Sequence, residues 1–140
     1  MTSAAKVYLG LYGDKVEPDD ISDFIGLAAT EVRRKGERNP IVPLPRNSSW
    51  KFSLGKIDAD VIDVYEMSEG LVAKLAPFES KISEAIQKFN LTSVFQVVLW
   101  IDQDENKSMP AIGFERPVLN FVNAIEAKID IDTYRTSGID

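Results

Sequence analysis

The sequence predicts an α+β domain: a single, largely antiparallel sheet of about five to six strands, with three to four helices packed mainly on one face. Three observations carry this. Val94–Ile101 is an octet broken only by Gln96 and rich in β-branched and aromatic residues, the pattern of a strand buried in mid-sheet. Ala127–Tyr134 alternates without a fault, Ile129 and Ile131 on one face and Asp130 and Asp132 on the other, the pattern of a strand with one wet face. Between such stretches lie segments with apolar residues three and four apart, as helices need to cover a sheet.

Lys6–Gly13 opens as a strand, with Tyr8 and Tyr12 on one face and Val7, Leu9 and Leu11 on the other. Pro18 starts a helix, with Glu17, Asp19 and Asp20 where the helix dipole favours negative charge. Ile21, Phe24 and Ile25 form its buried face, and Gly26 is its natural stop. Thr30–Lys35 reads as a charged edge strand. Asn39–Asn47 carries Pro40, Pro43 and Pro45, a density that excludes a helix or a central strand. Ser49–Leu54 alternates, which points Trp50, Phe52 and Leu54 inward.

Gly55–Asp60 reads as a linker, with Asp58 or Asp60 capping a helix over Val61–Ala76. Gly70 inside that helix predicts either close packing or a break. Pro77 ends the helix, and Phe78, Ile82, Ala85, Ile86 and Phe89 stripe the next one, which stops near Asn90. After the octet, Asp102–Ser108 is a polar loop and Ala111–Phe114 resumes strand character, which predicts a hairpin. Arg116-Pro117 opens the last helix, burying Val118, Phe121, Val122 and Ile125. Arg135–Asp140 reads as a polar tail.

A chain of 140 residues is one domain by size, with 44% apolar and 27% charged residues, an ordinary globular composition that needs no staple. Neither cysteine nor histidine occurs. Disulfides, thiol chemistry, Ser-His-Asp triads and histidine-ligated zinc are thereby excluded. Any catalysis would fall to carboxylates, lysine, tyrosine or a cofactor. The expectation is therefore no enzyme, no cofactor and no metal. No signal or spanning segment stands out, which fits a cytoplasmic protein without membrane contact. A net charge of −6 disfavours nucleic acid and suits a basic partner.

Four constellations bear on function. Asp102, Asp104, Glu105 and Asn106 resemble the start of a calcium loop, but Lys107 stands where glycine belongs and Gly113 where glutamate belongs. A solvated loop tip is the better reading. Asp130 and Asp132 could work as acid and base with a third group, yet alternating aspartates more often protect an edge. Arg33, Arg34, Lys35 and Arg38 could seat a phosphate or carboxylate, though no glycine-rich cradle accompanies them. A charged edge strand is the plainer role. Trp50 reads as core, with anchoring of a partner as the alternative.

Several pieces taken together resemble a known family. They are Glu17-Pro18-Asp19-Asp20-Ile21-Ser22, Gly26-Leu27-Ala28-Ala29-Thr30, Lys35-Gly36-Glu37, Ser49-Trp50 and the closing Ile129-Asp130-Ile131-Asp132-Thr133-Tyr134. Their order and spacing resemble the small bacterial domain of unknown function numbered 4279. Arg46 and the three prolines make a longer insert than that pattern has. The resemblance carries no catalytic residue. It implies a place among acidic proteins of toxin–immunity loci, by analogy.

The leading expectation is thus a non-enzymatic binding protein, an immunity protein that neutralises a basic cognate toxin. Asp58, Asp60 and Asp63, then Asp102, Asp104 and Glu105, then Asp130 and Asp132 would be its contact surface. The rival is an anionic-ligand binder or carboxylate-based enzyme, with Arg33, Arg34 and Trp50 gripping the ligand beside the Arg38–Trp50 loop. A third class is a subunit forming a homodimer through an exposed strand edge.

Overall fold

A computed structural model describes residues 3–136. Five strands form one mixed sheet in the order β2-β3-β1-β4-β5. In chain order these are β1 (Ser3–Gly13), β2 (Glu31–Arg33), β3 (Ser48–Ala59), β4 (Thr92–Asp102) and β5 (Lys128–Thr136). The helices are α1 (Pro18–Ile25), α2 (Val64–Leu75), α3 (Glu79–Lys88) and α4 (Arg116–Ala124). β1 pairs antiparallel with β3 and with β4, and β2 pairs antiparallel with β3. Among the described residues only β4 and β5 run parallel. A parallel neighbour needs a crossover of a dozen or more residues, and 103–127, with α4 inside, supply it.

The octet lies mid-sheet between β1 and β5. Its residues Phe95, Val97 and Leu99 stand in register with Leu9, Val7 and Ala5 of β1, and all six are buried. On this face they meet Ile21 and Ile25 of α1, Leu71 and Leu75 of α2, Ile82 of α3 and Val118 and Phe121 of α4 in one apolar cluster. Among the described residues all four helices therefore lie on one face, and the other carries none. The period of two in β1 fixes this: Val7, Leu9 and Leu11 go down to the helices, Tyr8 and Tyr12 go up.

Several expectations are corrected. Ala111–Phe114 is not a strand paired with β4, because β1 and β5 already occupy both edges of β4. Ala111 instead bridges to Asp63: Val64 N–H donates to Ala111 O (2.9 Å) and Ala111 N–H to Ile62 O (2.9 Å). Phe114 packs edge-on against Phe95, with centroids 6.3 Å apart. The supposed linker Gly55–Asp60 continues β3 as far as Ala59. The register steps from Tyr8↔Ser53 to Lys6↔Lys56, a bulge at which Gly55 adopts φ 110°. Leu54, beside that bulge, is not inward as expected but 54% exposed, at the rim of the helix side near Gly70.

The cap of α2 is Asp63, whose carboxylate accepts Glu66 N–H at 3.2 Å, not Asp58 or Asp60. Val61 is accordingly exposed and Ile62 buried in its stead. Gly70 neither breaks α2 nor sits in a tight contact; a methyl there would meet only Leu54 Cδ1, at 3.7 Å. Of the polar tail, Arg135 and Thr136 belong to β5, and the rest lies outside the described residues.

Candidate functional site

The helix-free face is the molecule's unusual surface. Reading across register, it carries Glu31 and Arg33 from β2, Ser49, Lys51, Lys56 and Asp58 from β3, Lys6, Tyr8 and Tyr12 from β1, Trp100 from β4, and Asp130, Asp132 and Tyr134 from β5. A face without helices is covered by its own side chains alone, and here aromatic rings do much of it. Trp100 stacks on Tyr134, its in-register neighbour, with centroids 6.1 Å apart and planes at 21°. Lys56 places its ammonium 4.4 Å from the Trp100 ring, reaching over Ala4, the small residue of β1 between them. Lys51 stands 5.0 Å from the Tyr8 ring on the same face. Such cation–π contacts hold the lysine stems against the sheet.

Electrostatics divide this face. Arg33, Lys51, Lys6 and Lys56 lie toward β2 and β3, with Glu31 among them bonding Arg33 (3.4 Å) and approaching Lys6 (3.7 Å). Asp130 and Asp132 lie on the opposite margin, exposed. Burial, with the neighbouring cations Arg33 and Lys6 adding to it, holds the Lys51 ammonium below the ordinary lysine pKa, against the opposing pull of Glu31. Burial also raises the pKa of both tyrosines, Tyr12 more strongly.

The residues singled out from sequence separate. Arg33, Asp130 and Asp132 share the helix-free face but stand on its opposite margins, on β2 and β5. Arg34 does not join them: its Nε donates to Glu17 (3.2 Å) and its Nη2 to Asp19 (3.3 Å), which ties the β2 edge to the start of α1. Those carboxylates raise the Arg34 pKa, Glu17 foremost. Lys35 is paired with Asp14, whose carboxyl it holds below the ordinary aspartate range. Trp50 is fully buried on the helix side, its Nε1–H donating to Ser22 Oγ at 2.9 Å. It therefore cannot grip a ligand or anchor a partner. The shallow hollow beside this segment, about 240 Å3, is lined by Lys15, Glu17, Arg34 and Lys35, and two of its cations already hold carboxylates.

Asp102 is buried, and its carboxylate accepts Asp104 N–H (2.9 Å), while Asp104 accepts Asn106 N–H (2.9 Å). These side chains fold their own loop, which leaves Glu105 and Asp104 exposed at its tip and Asp102 withdrawn from any contact surface. Trp100, Tyr134, Lys51 and Lys56 are the face's residues that sequence reasoning passed over. A signal existed: Gln96 and Trp100, the octet's polar and amphipathic members, share the parity that the register aligns with Tyr8 and Tyr12.

The sequence profile of DUF4279, a domain of unknown function, matches residues 3–136. The chain belongs to that family. No curated protein and no solved structure matches it. Membership of DUF4279 accords with the resemblance of the α1 and β5 segments, and it brings no activity with it. Among the described residues of this DUF4279 chain, no helix is long and apolar enough to cross a membrane.

Proposed function

We propose that this DUF4279 protein is a non-enzymatic protein-binding module, and that the helix-free face is where its partner docks. One observation carries the reading. The bare face holds the stacked Trp100–Tyr134 pair with cations on one margin and Asp130 and Asp132 on the other. Stacked aromatics that are half in contact with water are the side chains from which interface anchors are made. The partner suggested by the net charge of −6 is a basic protein, and in a toxin–immunity locus that partner is the cognate toxin, met in the cytoplasm. Charge complementarity would then speed capture and orient it, with the aspartate margin facing the partner's cations.

The test is binding to the product of the neighbouring gene, at low and at physiological salt, with wild type and with Trp100→Ala. Specific binding weakened at least tenfold by that substitution, about 1.4 kcal/mol or more, supports the reading. Binding that Trp100→Ala leaves intact removes the helix-free face as the site. Absence of binding at both salt concentrations removes the immunity role.

A further inference from the structure

β2 spans only Glu31–Arg33 and pairs with Ser49–Lys51 of the far longer β3. Among the described residues no strand pairs with the outer edge of Gly55–Ala59. That edge presents unpaired backbone N–H and C=O groups, a template for another strand. Beside it lies an apolar cleft of about 340 Å3, lined by Leu54, Ile57, Val61, Met67 and Gly70 and rimmed by Asp63 and Glu66. Leu54, Ile57 and Val61 are 54%, 46% and 60% exposed, three large apolar side chains left open at one place.

We infer that the occupant is a second copy of this chain, paired antiparallel along the same edge with Ile57 opposite Ile57. Directly opposite residues in an antiparallel pair share a face and interact. With Ile57 at the centre, Lys56 of each copy lies opposite Asp58 of the other, and Gly55 opposite Ala59. Lys56 and Asp58 both belong to the helix-free face, in register with Lys6 and Ala4. The contact is thus self-complementary in charge, and the two Ile57 side chains meet beside the clefts. Moving the centre by one residue to keep the faces matched sets Lys56 against Lys56 or Asp58 against Asp58. Charge therefore selects one register. The other free edge behaves differently: on β5, pairing centred on Ile131 or Asp132 sets aspartate against aspartate. A twofold contact of this kind closes as a dimer and joins two sheets into one of ten strands, with both helix-free faces left open.

The contact is short, one strand pair and a few apolar side chains, so the dimer is expected to be weak and concentration-dependent. Sedimentation equilibrium from micromolar to millimolar protein tests it with Lys56→Asp, Asp58→Lys, an equimolar mixture of the two, and the double variant in one chain. Each single variant opposes like charges twice in its own dimer and is expected to sediment as a monomer where wild type dimerises. In the mixture, and in the double variant, every opposed pair is again unlike, so the dimer returns. Loss of the Lys56–Trp100 contact cannot mimic this, since the double variant and the Lys56→Asp chains of the mixture retain that loss. A wild-type monomer throughout the range overturns the proposal. So do single variants that dimerise like wild type, or a mixture that stays monomeric.

Discussion

The Tyr12 ring lies across the α-carbon of Gly10, so close that a methyl group at position 10 would stand 2.5 Å from Tyr12 Oη. Both residues are on β1, two apart, on the face that has no helices. Glycine is what lets the phenol lie flat on the strand and reach Tyr8. The pair roofs part of the sheet that nothing else covers.

Gly10→Ala should therefore lift Tyr12 off β1 while leaving the sheet intact. The loss of stability is expected to be small, about 1 kcal/mol, since the far end of a side chain yields where backbone would not. Spectrophotometric titration should show the Tyr12 phenol ionising nearer the ordinary tyrosine pH. The sign of the pH effect follows. Burial, with the neighbouring Tyr8 adding to it, raises the Tyr12 pKa in the folded chain, so its contribution is fully present below the unfolded value of about 10 and is lost as pH rises beyond it. Tyr12→Phe should flatten that alkaline loss in urea unfolding. A wild-type alkaline limb as steep in the variant would show that the loss arises elsewhere.

Trp50 binds the sheet to α1 through one hydrogen bond and a fully buried indole. Trp50→Ala is expected to cost about 3–5 kcal/mol through the cavity left behind. Ser22→Ala leaves the indole N–H without its partner, at about 1–3 kcal/mol. Trp50→Phe combined with Ser22→Ala should cost less than the two separately, because the N–H and its acceptor go together. Additive losses in denaturant unfolding would rule out this pairing.

Glu126 holds φ 54°, a left-handed conformation that closes α4, as Gly26 closes α1 at φ 82°. In both cases the next residue's N–H bonds back into the helix, Ala127 to Val122 O (2.9 Å) and Leu27 to Ser22 O (3.3 Å). A side chain in that conformation costs about 1–2 kcal/mol, and glycine avoids it at some entropic expense. Glu126→Gly should thus stabilise the fold by about 0.5–1 kcal/mol, read as a higher melting temperature. A lower one would mean that the Glu126 side chain contributes more than its strain removes.

Local order along the chain was enough to decide which face each residue takes. Val7, Leu9 and Leu11 opposed to Tyr8 and Tyr12, the octet with its one Gln96, and the stripes of Ile21 and Ile25 or Phe121 and Ile125 are set by periods of two and 3.6. Those periods belong to the backbone and need no knowledge of neighbours. Which strands lie side by side is set by long-range packing instead. Ala111–Phe114 has the composition of a strand and is none, because both edges of β4 were taken by segments distant in sequence. Gly55–Ala59 reads as a linker and is strand, because β1 is there to pair with it. Arg33 and Asp130 lie nearly a hundred residues apart in sequence and share one surface, whereas Arg33 and Arg34, adjacent in the chain, serve opposite sides of it. Which residues share a surface depends on strand order and register, and these follow from burying the whole apolar set at once.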